Sequence, residues 1–207
     1  MEKYEFGEKN AKTILVQPTD VRELQTIEKE IRLIKELSDA DFRLVAFAVD
    51  DWNRDLSPAK APAVFGREDF GGEGQKTLNA ITKEIGFAET PVYIGGYSLA
   101  GLFALWAACK TSVFSGVAAA SPSVWFPGFT DFMKTNGILS EKVYLSLGNR
   151  EPNAKNPVLA SVGENIKKTY AILKEKNIRC FFEWNEGNHF RDAEIRTAKA
   201  FAWLLNN

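Results

Sequence analysis

The chain has 207 residues, 45% hydrophobic and 26% charged, with a formal net charge of -1 at pH 7. That length fits a single domain over residues 1–207 with a sizeable core. Basic and acidic residues are interspersed, so no field favours nucleic acid or an anionic membrane surface, and a single histidine, His189, excludes a histidine-rich metal site.

The opening Met1-Glu2-Lys3-Tyr4-Glu5 lacks the basic start and apolar stretch of a signal peptide. No apolar run approaches the roughly 18 residues of a spanning helix, so a cytoplasmic location is expected. Cys109 and Cys180 have no metal-like spacing and suggest no disulfide framework; two buried thiols are expected. Thr13 to Val16 predicts a buried strand. Val21, Leu24, Ile27, Ile31, Ile34 and Leu37 then mark one face of a helix, with Asp20 as cap and Glu23 completing a capping box. Phe42 to Val49 predicts a second strand, followed by a long irregular stretch from Asp50 to Glu73. Within it, Gly71 to Thr77 resembles a phosphate-binding loop only superficially, because Gln75 separates Gly74 from Lys76 and no strand precedes it. Leu78, Ile81 and Ile85 define a second helix ending at Gly86. Strands follow at Pro91–Ile94, Ser115–Ala120, Val143–Leu147 and Cys180–Trp184, with helices over Ser98–Cys109, Val158–Leu173 and Ile195–Leu205. This alternation predicts a doubly wound α/β fold. Its mostly parallel sheet has about six core strands flanked by helices, and the loops at their C-terminal ends line one functional edge.

The strand at Pro91 runs into Gly95-Gly96-Tyr97-Ser98-Leu99-Ala100-Gly101 and then a helix. A serine presented on so sharp a turn needs small residues two before and two after it, which Gly96 and Ala100 supply. Ser98 then projects at a helix N-terminus, where the Leu99 N–H and the helix dipole can stabilise an oxyanion. Tyr97 needs no role there beyond packing.

GGYSLAGLFALWAA at Gly95–Ala108, AAASPSVWF at Ala118–Phe126, LSLGNRE at Leu145–Glu151 and EGNHFRD at Glu186–Asp192 resemble the α/β-hydrolase superfamily. The resemblance is closest to compact esterases related to enterochelin esterase and S-formylglutathione hydrolase (esterase D-like), and it runs from about Thr13 to the C-terminus. It implies a serine esterase; no separate cap domain is visible in the chain. His189, after the last strand, would be the base. The acid would follow the strand Val143–Leu147, where Glu151 is the only carboxylate; some enterochelin-type esterases work as a Ser–His dyad instead. Asp192 and Glu186 share the loop of His189 rather than facing it. The second oxyanion donor would follow the first core strand. Pro18 has no N–H, which leaves Thr19 or Asp20. The His-Gly pair of many relatives is absent there.

Trp52, Asn53 and Arg54 follow the second core strand, and Trp125 and Phe126 the fourth, so all reach the catalytic edge. The aromatics either wall a substrate pocket, with Asn53 or Arg54 as polar contacts, or cap the core beneath the long loop. The expected partner is a small-molecule ester at an open, shallow site, with no metal or organic cofactor. A thioesterase or acyltransferase would use the same residues. A non-catalytic binding protein on this fold is the alternative from another class.

Overall fold

A computed structural model describes residues 1–86 and 88–207. In chain order the elements are β1 (Glu2–Phe6), β2 (Ile14–Thr19), α1 (Val21–Leu37), β3 (Arg43–Ala48), α2 (Trp52–Leu56), β4 (Lys60–Ala61), β5 (Phe70–Gly71) and α3 (Gly74–Ile85). They continue with β6 (Val92–Tyr97), α4 (Leu99–Lys110), β7 (Gly116–Ala120), α5 (Phe129–Asn136), β8 (Lys142–Gly148), α6 (Pro157–Ala160), α7 (Val162–Glu175), β9 (Arg179–Asn185) and α8 (Ala193–Asn206). Seven strands form one sheet in the order β1-β3-β2-β6-β7-β8-β9. All neighbours run parallel except β1, which pairs antiparallel with β3. The sheet is thus the doubly wound, mostly parallel one expected, with one strand more. β1 escapes a reading by hydrophobic pattern because four of its five residues are exposed and three are charged, as suits an edge strand.

Alternating side chains divide the core into two layers. Leu15, Leu44, Tyr93, Ala118 and Tyr144 face α1 and α8, where they meet Ile27, Ile34, Ala198 and Phe201. Val16, Val45, Ile94, Val117 and Leu145 face the other side, where α4 lies with Ile81 and Ile166. Residues Leu99 to Ala108 of α4 are all buried. Each large apolar side chain so placed contributes about 1.5–3 kcal/mol, so the turn that precedes α4 rests on a fixed platform.

Three further expectations are revised. The helix expected over Val158–Leu173 is two helices broken at Ser161, whose N–H turns back to the carbonyls of Pro157 and Val158, both at 3.2 Å. β2 does not stop at Val16 but continues through Pro18 to Thr19. Pro18 is tolerated because β2 pairs with β6 only from Ile14 to Val16, so its missing N–H faces no ladder. Cys109 and Cys180 are half-buried rather than buried. Among the described residues no helix is long and apolar enough to cross a membrane. Nor is any group of three or more His, Cys, Asp or Glu arranged to hold a metal ion.

Candidate active site

Ser98 sits between β6 and α4 with φ 57° and ψ -119°, a region that costs a non-glycine residue about 1–3 kcal/mol. Neighbouring backbone enforces it. The Ser98 N–H donates to Ala120 O at 3.1 Å, and its carbonyl accepts from the N–H of Leu102 at 3.1 Å and of Ser123 at 3.0 Å. A Cβ on Gly96 would lie 2.6 Å from the Ala100 Cβ, so the turn closes only with glycine there and a small residue opposite.

His189 lies in the loop between β9 and α8. Its Nε2 is 2.9 Å from Ser98 Oγ, and its Nδ1 is 2.7 Å from Glu151 Oε2. Glu151 opens a short 3₁₀ turn after β8 and is 7% exposed. Its Oε1 accepts from the Gly148 N–H at 2.7 Å and from Arg196 Nη1 at 3.1 Å. Oε1 is thereby occupied, and Oε2 is left to the imidazole. Gly148 must be glycine for this approach, since a Cβ there would meet Gly187 O at 2.6 Å and Glu151 Oε1 at 2.9 Å.

Arg196, on α8, is the residue that sequence reasoning missed. It is 1% exposed. Its Nη1 also donates to Tyr97 Oη at 3.1 Å and Ser121 Oγ at 3.0 Å, and its Nη2 to the carbonyls of Glu186 and Asn188, both at 3.1 Å. One guanidinium therefore ties the carboxylate of Glu151 to the segment that leads into His189. Tyr97 completes the clamp by donating to the His189 carbonyl at 2.8 Å, and its role is more than packing. Burial pushes the Tyr97 phenol up to about 12, so it remains a donor at neutral pH. The available signal was the spacing of Arg196 with Ala200 and Leu204, which puts a cation on the buried face of α8.

The Leu99 N–H, in the first turn of α4, has no hydrogen-bond partner among the described residues. Thr19 is placed differently from the expectation. It pairs with Ala48, and its carbonyl accepts from the Val49 N–H at 3.0 Å. In a parallel ladder a residue's N–H and C=O point to the same neighbour, so the Thr19 N–H faces β3 and not Ser98. Its hydroxyl bonds Asp20 O and Glu23, both at 3.2 Å. Asp20 caps α1 through the N–H groups of Arg22 and Glu23, each at 2.8 Å.

Trp52 starts α2, half-buried against the larger core layer, and Asn53 Nδ2 donates to Glu68 O at 3.3 Å. Arg54 pairs with Asp55 at 2.7 Å. Trp125 and Phe126 are buried. Trp125 packs against Phe65 and Phe70, and Phe126 edge-on against Phe70. Phe126 also lines a cavity of about 290 Å³ with Trp106, Lys110, Phe129 and Phe132, which includes neither Ser98 nor His189. Both aromatics thus pack against phenylalanines of the long loop. Two rings lie against the imidazole: Tyr97, tilted at 5.2 Å, and Phe190, 91% exposed and edge-on at 5.7 Å. Glu186 and Asp192 pair with Arg191 and not with His189.

No family model and no curated protein match the sequence. Solved structures do match in shape. The siderophore hydrolase EstA from Aspergillus nidulans is 16% identical, with a TM-score of 0.71 over 99% of this chain and 94% of that one. An IroE-like serine hydrolase from Shewanella oneidensis is 13% identical, with a TM-score of 0.79 over 99% of this chain and 75% of the other. The enterochelin esterase of Shigella flexneri is 17% identical, with a TM-score of 0.64 over 97% of this chain and 53% of that one. With its parallel sheet, its serine turn after β6 and its helix-covered faces, the chain has the α/β-hydrolase fold shared by these esterases and serine hydrolases.

Proposed function

We propose that this chain, acting as one domain, is a serine hydrolase that cleaves a carboxylic ester through an acyl-enzyme on Ser98. The observation that carries the reading is the continuous relay from Ser98 Oγ to His189 at 2.9 Å and from His189 to Glu151 at 2.7 Å. A serine hydroxyl is a weak nucleophile until a base takes its proton. Glu151 accepts the Nδ1 proton, which leaves Nε2 unprotonated toward Ser98. As Oγ attacks the carbonyl carbon, its proton passes to Nε2 and negative charge develops on the substrate oxygen. The Leu99 N–H receives that charge at the positive end of α4. With the Thr19 N–H directed to β3, the remaining candidate for the second donor is the Asp20 N–H, which the Glu23 carboxylate also engages. Collapse expels the alcohol with the proton from His189, and water then releases the acid by the same route. No step requires a metal or organic cofactor.

Phe190 offers an exposed apolar contact beside the imidazole, and α2 bears Asn53 and Arg54 after β3. That arrangement suits a small ester better than a long acyl chain. Turnover of p-nitrophenyl acetate or butyrate should exceed that of long-chain analogues. The names of the structural neighbours make a siderophore ester the first natural substrate to assay. A fluorophosphonate probe tests the central reading. Labelling of Ser98 in folded protein, abolished by Ser98→Ala, is expected; folded protein that takes up no probe would overturn it. Comparing oxygen esters with thioesters and with added acceptor alcohols distinguishes hydrolysis from thioesterase or acyl-transfer activity.

A further inference from the structure

Ser123 follows β7 and is 1% exposed. Its Oγ lies 3.3 Å from Ser98 Oγ, and its N–H donates to the Ser98 carbonyl at 3.0 Å. Two features hold it there. Ser121 turns the chain at φ 43°. Gly101 leaves room for Pro122, whose Cβ would lie 3.2 Å from any Cβ at position 101. Ser98 Oγ is the only hydrogen-bond partner of the Ser123 hydroxyl among the described residues.

The direction of this bond follows from the groups around it. Glu151 Oε2 accepts from Nδ1, so Nε2 is an acceptor and the Ser98 hydroxyl donates to it. The contact between the two serines then has Ser123 as donor and Ser98 Oγ as acceptor. One lone pair of Oγ is held by Ser123 and its proton by His189, which leaves the other lone pair for attack.

We infer that Ser123 is the hydrogen-bond donor that receives Ser98 Oγ as the leaving group when the acyl-enzyme is hydrolysed. The inference rests on Ser98 as the acylated residue. In the acyl-enzyme, Oγ is an ester oxygen and a poor acceptor, so the buried Ser123 hydroxyl loses its partner. Water then attacks the acyl carbon as one of its protons passes to Nε2. The C=O electron pair moves to the carbonyl oxygen. On collapse the C–Oγ bond breaks, its electron pair stays on Oγ, and the proton returns from Nε2 to Oγ. Ser123 keeps its own proton throughout and donates to the growing charge on Oγ. Its bond is present in the free enzyme, weakened in the acyl-enzyme and regained in the deacylation transition state. It therefore assists deacylation and gives no help to acylation.

Stopped-flow kinetics with p-nitrophenyl acetate separates the two steps, and mass spectrometry follows the acetyl group on Ser98. Ser123→Ala should slow acetyl-enzyme hydrolysis about tenfold. It should leave the acylation constant, read as kcat/KM, within about twofold, so that kcat and KM fall together. Ser123→Thr, which keeps a hydroxyl, should restore most of the deacylation rate. An equal fall in acylation and deacylation, or no change in deacylation, overturns the role of Ser123 while the acetyl adduct still forms. A wild-type protein that forms no adduct on Ser98 overturns the acyl-enzyme reading and this inference with it.

Discussion

Replacing Arg196 by methionine removes a buried cation while keeping an unbranched side chain of similar length. The guanidinium has five acceptors: Glu151, Tyr97, Ser121 and the carbonyls of Glu186 and Asn188. The two carbonyls belong to a partly buried loop and can turn to water. Glu151 cannot, because its side chain is only 4% exposed and would keep the Gly148 N–H and His189 alone. Breaking one side of a buried ion pair costs about 3–5 kcal/mol, mostly for the charge left behind. A urea m-value of about 2 kcal/mol/M converts this to a midpoint lowered by about 2 M. Activity should fall further than stability requires, since the histidine loop loses two anchors. Small displacements of a catalytic group cost on the order of 100-fold in rate. Equilibrium urea unfolding and kcat/KM on p-nitrophenyl acetate, measured under conditions where the variant is folded, read both effects. Arg196→Lys keeps the charge without the fork and should recover only part of either. A midpoint shift below about 0.5 M with unaltered kcat/KM would refute the reasoning, because it would mean that Glu151 needs no cation.

Glu151→Gln keeps the shape but presents the imidazole with an amide; kcat should drop by about 10²–10⁴ while fluorophosphonate labelling slows rather than vanishes. Tyr97→Phe removes the donor to the His189 carbonyl; a stability loss of about 1 kcal/mol with a rise in KM or fall in kcat is expected in thermal melts and steady-state assays. Gly148→Ala inserts a methyl group where 2.6 Å separates it from Gly187 O; activity should fall more than for any alanine substitution on the exposed face of α7. Burial raises the carboxyl of Glu30 well above 4.5, with Glu23 and Glu194 adding like charge and the Gln17 amide opposing. The folded state thus holds the proton that the unfolded chain releases as pH rises past about 4.5, and stability should decline from there toward the folded-state value. Glu30→Gln should flatten that decline and raise the melting temperature at neutral and alkaline pH; an unchanged pH slope would show that Glu30 is not the group responsible.

The relay was legible because its members are constrained by type. Only one histidine exists, only one carboxylate follows β8 in its loop, and only Ser98 stands between a buried strand and a buried helix with small residues on both sides. The sheet was legible for the matching reason that strands buried on both faces read as apolar runs. β1 was not, because an edge strand carries charges, and the extent of β2 was not, because Pro18 reads as a strand terminator unless the neighbouring ladder is known to have ended. The same gap misplaced the Thr19 N–H, whose direction depends on which strand it pairs with. Arg196 and Ser123 lay hidden for a different reason. A single cation on a helix and a serine in a polar loop look solvated, and only the fold brings them onto Glu151 and Ser98. The aromatics Trp125 and Phe126 were equally ambiguous until Phe65 and Phe70 were found against them.

The clamp formed by Arg196 also joins distant parts of the chain. Ser98 and His189 are 91 residues apart, and Arg196 reaches 45 residues back to Glu151 and 99 back to Tyr97. The serine turn and the imidazole facing it thus come from distant parts of the chain, and the Glu186 and Asn188 carbonyls beside His189 gain their Arg196 anchor only with α8 docked. Under the proposed function, recovery of hydrolysis after dilution from denaturant should require α8 to dock as well as the sheet to form.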